Sequence, residues 1–223
     1  VRMVEQLLEL SRLSDNPQMS LSTYRLKNLM CMPIDSFSRL AKQSKLSFSS
    51  KVADNLWLEC DAQAFEKIIF NLLANAVKYT PAGGTIQVNV YQEQDTIILD
   101  VIDSGIGISK DNQNKIFERF QRADDPNNQS VFGVGIGLSL VNELVKAHGW
   151  RISLVSEQGH GSKFSLSMPS AMPGSSEKEM PISLSENEVT SLLTEQRSVA
   201  SDQAVHSQQV VLVIEDNMDM QSH

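Results

Sequence analysis

An α+β fold is predicted by three observations. Apolar residues recur at helical spacing in several separate stretches, other stretches carry strand spacing, and glycine-rich turns divide the two kinds. The helix expected to open at Asp61 and close at Pro81 organises the rest. Its apolar set Phe65, Ile68, Ile69, Leu72, Leu73 and Ala76 follows the i, i+3, i+4, i+7 rule, with Asp61 as N-cap and Pro81 as stop. Asn71 and Asn75 stand one turn apart beside that stripe. Stacked amide oxygens suit a hard cation such as Mg2+, although this helix read alone favours two solvated or capping asparagines.

Upstream, Met3, Val4, Leu7, Leu8, Leu10 and Leu13 cover more than half of a helix. That fits one member of a helical bundle or an amphipathic helix packed on its own domain. After Asp15-Asn16-Pro17, the residues Leu26, Leu29, Met30, Pro33, Ile34, Phe37, Leu40 and Ala41 repeat at helical spacing, with Pro33 expected to kink the segment or split it. Leu46 to Val52 and Trp57 to Cys60 read as short strands.

Beyond Pro81-Ala82-Gly83-Gly84, the residues Ile86, Val88 and Val90 alternate with polar ones, which predicts a half-exposed strand. Ile97 to Ile102 is almost continuously apolar, which predicts a central one. That central strand ends on Asp103, a carboxylate that needs a donor if it is buried. Ser109 is expected to cap a short helix through Phe117, and the polar run from Arg119 to Phe132 reads as a loop. Gly133, Gly135 and Gly137 then lead into a helix from Leu138 to Ala147, with Leu140, Val141, Leu144 and Val145 inward. Ile152 to Ser156 and Phe164 to Met168 close the domain as strands around Gly159-His160-Gly161.

With 223 residues and 41% hydrophobic content, the chain accommodates one ordinary domain and appendages but no second complete domain. A formal net charge of -8 argues against tracking nucleic-acid phosphates, and no nucleic acid is expected as a partner. Cys31 and Cys60 are isolated and lack metal-ligand spacing, which suggests a reducing compartment. No run reaches the ~18 apolar residues of a membrane span, so this segment is expected to be soluble; Val1 begins inside a helical pattern, so residues are expected upstream of it. From Pro169 to Gln209 the composition turns to Ser, Pro, Glu and Gln and reads as a linker, within which Leu184, Val189, Leu192 and Leu193 fit a short docked helix.

Two stretches carry most of the chemistry. Gly133, Gly135 and Gly137, spaced by two before a helix, allow close backbone approach and aim N–H groups at one point; that suits phosphate oxygens, or a turn that serves packing alone. Neither the dinucleotide fingerprint nor the P-loop pattern is present. Asp103 offers an acceptor suited to the exocyclic amine of adenine and repels the carbonyl of guanine; its plainer reading is a strand-terminal turn residue.

These stretches together resemble the ATP-binding domain of sensor histidine kinases, within the wider Bergerat-fold ATPase group that includes gyrase. The resemblance runs from Met3 to about Pro169. It is carried by N-L-L-A-N-A-V-K-Y-T at Asn71 to Thr80, D-S-G-I-G-I at Asp103 to Ile108, I-F-E-R-F-Q-R at Ile116 to Arg122 and G-V-G-I-G-L at Gly133 to Leu138. A-H-G at Ala147 to Gly149 and G-S-K-F at Gly161 to Phe164 add the family's ending. The fold it implies is a two-layer α/β sandwich, a mixed sheet covered by helices on one face, preceded by the end of a bundle helix. The implied division is 1–16 for that helix, 17–169 for the catalytic domain, 170–209 for a linker and 210–223 for the start of a receiver domain.

The resemblance implies ATP and Mg2+ as cofactors. Asn75, helped by Asn71, would orient the metal; Lys78 would approach the phosphates and Tyr79 would pack near the base. Asp103 would read adenine, Gly105, Gly107 and Ile108 would shape its pocket, and Arg122 would stand near the phosphates in a lid anchored by Phe117 and Phe120. Gly133, Gly135, Gly137 and Leu138 would close over the triphosphate, with Val134 where relatives often carry a hydroxyl. Gyrase-like hydrolases carry a water-activating glutamate one turn before the metal asparagine, whereas Asn71 takes no proton. Asn71 and Lys78 therefore support transfer to a histidine rather than hydrolysis, and no catalytic base is assigned.

None of His148, His160, His206 and His223 has the family's acceptor context. The implied partners are a second copy joined through upstream bundle helices, the histidine-bearing dimerisation domain, and a receiver domain or response regulator. V-V-L-V-I-E-D-N at Val210 to Asn217 resembles a receiver's first strand, with Glu215 and Asp216 as its acidic pair. A cytoplasmic catalytic part on a membrane-anchored parent is implied in the same way.

Overall fold

The computed structural model describes residues 19–118 and 136–173. The expected upstream helix, the loop from Arg119 to Phe132, Gly133 to Gly135, the linker helix and the strand from Val210 lie outside the described residues.

β1 (Ser22–Arg25) pairs antiparallel with β3 (Trp57–Cys60) in a small two-stranded sheet. The main sheet has the order β2 (Ser47–Val52), β4 (Thr85–Glu93), β5 (Thr96–Asp103), β7 (Gly161–Pro169), β6 (Arg151–Glu157). Among the described strands of this sheet only β2 and β4 run parallel. A parallel pair needs a long crossover, and the segment between β2 and β4 supplies it with β3 and the helix α2 (Ala62–Tyr79). The sheet is therefore mixed, with β5 inside it as its apolar run predicts.

The period-2 rule decides what faces the helices. Ile86, Val88 and Val90 from β4, Ile97, Leu99 and Val101 from β5, and Phe164, Leu166 and Met168 from β7 are all buried. They share one core with α1 (Leu26–Gln43), α2 and α4 (Gly137–Ala147). In α2 all six residues of the expected stripe are buried, and in α4 so are Leu140, Val141, Leu144 and Val145. The result is the α+β arrangement expected, with helices on one face.

Asp61 caps α2 as read from the sequence: its Oδ1 accepts from Gln63 N at 3.0 Å and Ala64 N at 3.1 Å. At the other end Thr80 donates its hydroxyl to Ala76 O at 2.6 Å, and Pro81 prevents a further turn.

Two expectations are corrected. Pro33 does not split its helix: α1 is one 18-residue element with Pro33 inside it and buried. Proline removes one helix hydrogen bond, but Leu29, Met30, Phe37 and Ala41 on both sides of it enter the same core, and Phe37 meets Phe70 edge-on at 5.2 Å. That burial keeps the two halves in one helix. The helix after Ser109 is also shorter than expected: α3 covers only Lys110–Gln113, and turns follow it. Ser109 makes no side-chain cap; its carbonyl accepts from Asn112 N and Gln113 N instead.

Candidate functional site

The expected site residues gather where the C-terminal half of α2 meets the end of β5 and the start of α4. α2 presents Asn71, Asn75 and Lys78 half-buried and Tyr79 exposed. The Asn71 amide nitrogen donates to Lys67 O at 2.8 Å, one turn back. That bond fixes which way the amide points, so the Oδ1 oxygen faces outward from the helix. A Cβ built on Gly137 would lie 2.7 Å from this oxygen. Glycine at position 137 thus lets the start of α4 approach the asparagine while its amide keeps the orientation set by Lys67. Leu138 follows, half-buried, and Ile136, at the N-cap position of α4, brings no side-chain cap.

At the sheet end, Asp103 is only 8% exposed, and its Oδ1 accepts from Gly105 N at 2.8 Å. Burial pushes its carboxyl above the usual carboxylate range, and the backbone donors of Gly105 and Ser162 oppose that rise. The strand-terminal carboxylate therefore has the donors that its burial requires, in a loop folded back onto α2. Gly105 has no room for a side chain, because a Cβ there would strike Tyr79 O and come within 2.7 Å of Asp103 Oδ1. Ile106 N donates to the same Tyr79 carbonyl at 3.1 Å. The loop after β5 and the end of α2 are one joined unit.

Gly107 adopts φ +66°, a left-handed conformation that suits glycine, and a Cβ there would strike the Glu157 carbonyl at the end of β6. Ile108 N donates to Ser156 Oγ at 2.8 Å. Lys78 places its ammonium 4.9 Å from the centre of the Tyr79 ring, at cation–π distance. Phe117, one of the two aromatic residues expected to anchor the loop base, packs edge-on to Phe164 at 6.5 Å. Arg122, Gly133, Gly135, Val134 and Phe120 lie outside the described residues.

The fold that positions these groups is shared with proteins already known. Residues 60–172 match the family described as "Histidine kinase-, DNA gyrase B-, and HSP90-like ATPase". The chain belongs to this family. Sensor histidine kinase WalK of Bacillus subtilis is 32% identical over 173 residues, covering 76% of this chain and 28% of WalK. Sensor histidine kinase TmoS of Ectopseudomonas mendocina is 33% identical over 232 residues, covering 99% of this chain and 24% of TmoS. The chain thus spans about a quarter of these relatives. Full-length ShkA, solved in complex with AMPPNP, superposes with a TM-score of 0.69 at 25% identity, over 78% of this chain and 36% of ShkA. The described body is the ATP-binding catalytic domain of histidine kinases.

Within that domain the sequence did not reveal several residues that hold the fold together. His148, just past α4, stacks on Trp150 at 4.0 Å, sets its Nδ1 2.8 Å from Leu144 O and accepts from Asp61 N with Nε2 at 3.2 Å. These partners require a neutral ring with its proton on Nδ1, and burial holds the imidazole below its ordinary pKa. His148 therefore joins the end of α4 to the start of α2. The motif A-H-G was the available signal, but no spacing rule leads from it to Asp61. On the open face of the sheet, Asp100 is 3% exposed and takes Ser165 Oγ at 2.6 Å, Lys163 Nζ at 2.8 Å and Tyr91 OH at 3.4 Å. Burial pushes the Cys60 thiol up to about 12, so it is an inert core residue. Among the described residues no helix is long and apolar enough to cross a membrane.

Proposed function

We propose that this domain binds Mg2+-ATP and donates the γ-phosphoryl group to a histidine carried on another helix, the phosphoryl-donating part of a sensor histidine kinase. The observation that carries the reading is the contact between Asn71 Oδ1 and Gly137, which joins the asparagine-bearing turn to the start of the helix behind the triple glycine. Phosphoryl transfer needs mainly positioning and neutralisation of charge, and the donor set fits that need. Asn71 offers an amide oxygen whose nitrogen is already committed to Lys67, and Asn75 stands one turn further along. Such oxygens, together with phosphates and water, suit Mg2+, which shields phosphate charge when it is bound.

In this reading Asp103 accepts the adenine amine while Gly105, Gly107 and Ile108 line the base. Tyr79 lies beside the base and Lys78 reaches toward the phosphates. Arg122, Gly133, Gly135, Gly137 and Leu138 enclose the triphosphate. Asn71 accepts no proton, so water is poorly activated, and an imidazole nitrogen brought by another helix takes the phosphoryl group while ADP leaves. The acceptor helix, dimerisation through a bundle, transfer onward to a receiver domain and a membrane-anchored parent belong to the same proposal. So does the division at residues 16, 169 and 209. Two relatives named as sensor histidine kinases and the AMPPNP complex of ShkA support it.

The test is incubation of the chain with γ-labelled ATP and a separate bundle fragment bearing an acceptor histidine. Acid-labile label on the fragment is expected. Binding of ATP with no label transferred would favour a non-transferring ATP-binding regulatory module instead.

A further inference from the structure

The loop Ile106–Ile108 is fixed by four backbone hydrogen bonds, two of which end on side chains outside the glycine box. Ile106 N donates to Tyr79 O at 3.1 Å, and Ile106 O accepts from Gly159 N at 2.7 Å. Ile108 N donates to Ser156 Oγ at 2.8 Å, and Ile108 O accepts from Gln113 Nε2 at 2.9 Å. The same Gln113 amide donates to Ser156 O at 2.8 Å, so one side chain bridges the loop and β6. Ser156 has a single proton and gives it to Gly161 O at 2.8 Å; the Ser162 hydroxyl, 3.0 Å away, is then the donor to Ser156. Ser162 is in turn the strand partner of Asp103. Gly107 and Gly161 touch the facing backbones of Glu157 and Asp103, which leaves no slack between the loop and the turn.

We propose that Ser156 and Gln113 are positioning residues for the base end of the nucleotide pocket, setting the Ile108 backbone and through it the spacing between this loop and Asp103. The proposal rests on the reading that the pocket takes ATP. Among the described residues these two side chains bond only to Ile108, Ser156, Gly161 and Ser162, so their loss is expected to act on recognition of the base and to leave the dependence on magnesium unchanged.

The full chain is titrated calorimetrically with ATP and with adenosine at fixed magnesium, as wild type and as Ser156→Ala, Ser156→Thr, Gln113→Ala and Gln113→Glu. Each alanine variant loses one bond to Ile108, so affinity for both ligands is expected to fall by about five- to tenfold. Ser156→Thr keeps the hydroxyl and restores affinity to within about twofold. Gln113→Glu sets an acceptor against two carbonyl oxygens and weakens binding more than Gln113→Ala. A purely structural role lowers affinity only in step with the fraction folded, so thermal melts of the same variants, expected to show each still folded at the titration temperature, separate the two. Wild-type binding with both alanine variants within about twofold of it, or a loss seen with ATP and absent with adenosine, overturns the positioning role and leaves the ATP reading standing. Absence of ATP binding by the wild type overturns both.

Discussion

Gly137→Ala separates the stability of the site from its function. In the folded chain the new Cβ would stand 2.7 Å from Asn71 Oδ1, closer than such atoms approach, and 3.6 Å from Asn71 Cγ, an ordinary contact, so one partner moves. The Asn71 carboxamide turns on two torsions, whereas α4 is locked by four buried apolar residues, so the amide rotates. Rotation breaks the 2.8 Å bond to Lys67 O, worth about 1 kcal/mol in a half-buried setting. Replacing glycine by alanine in a helix returns up to about 1 kcal/mol, less in the first turn. Net stability therefore stays within about 1 kcal/mol of wild type. The displaced oxygen is the one facing the proposed metal, and disturbing such a group costs about 10- to 100-fold in metal-linked affinity. Urea denaturation and calorimetric titration with ATP and adenosine, each with magnesium, read the two quantities separately. Loss of ATP affinity with adenosine binding intact is expected, and in an Asn71→Ala background the added alanine has little further effect. Unchanged ATP binding, or the same loss in both backgrounds, refutes the contact's role.

Asn75→Ala is expected to weaken Mg2+-ATP binding by at least about tenfold while adenosine binding changes little; equal losses in parallel titrations mean the metal lies elsewhere. Asp103→Asn is expected to erode the preference for adenine over guanine nucleotides in competition binding. Because burial raises the Asp103 pKa, the ionised carboxylate opposes folding, and stability from this group falls as pH rises from 3.8 through the raised value. The uncharged asparagine is therefore no less stable than wild type at neutral pH, and a large drop in its thermal midpoint contradicts this. His148 has the opposite dependence on pH. Its folded pKa is depressed, so its contribution is complete above 6.5 and is lost as pH falls from there through the folded value. Thermal melts of His148→Gln across that window should show a shallower acid loss than wild type, and an identical slope removes the clasp to Asp61.

Much of this architecture was legible because it depends on local pattern. Asp61 before an apolar helix specifies a cap, and the alternation from Ile86 to Val90 specifies a one-sided strand; both are found. The split at Pro33 did not occur because tertiary burial, through Phe37 against Phe70, keeps the helix whole against intrinsic preference. β1 was missed because Ser22–Arg25 is short and polar and exists as a strand only through pairing with β3. Asn71, Gly137, Asp103 and Gly105 were found as types at motif spacing, but their contacts were hidden: that Gly137 answers to Asn71 and Gly105 to Tyr79 depends on chain crossings. Ser156 and Gln113 left no trace, since a lone serine in a strand and a glutamine in a four-residue helix carry no pattern. Asp100 read as part of an apolar run, and its partners Lys163 and Ser165 come from another strand.

Titration of the full chain with ATP, first with magnesium and then with magnesium chelated, tests the central claim most directly. A saturable heat that weakens on chelation, and that adenosine but not guanosine competes away, is the predicted result. No heat, or binding indifferent to magnesium and to the base, contradicts a pocket in which Asn71 and Asn75 face the phosphates and Asp103 faces adenine.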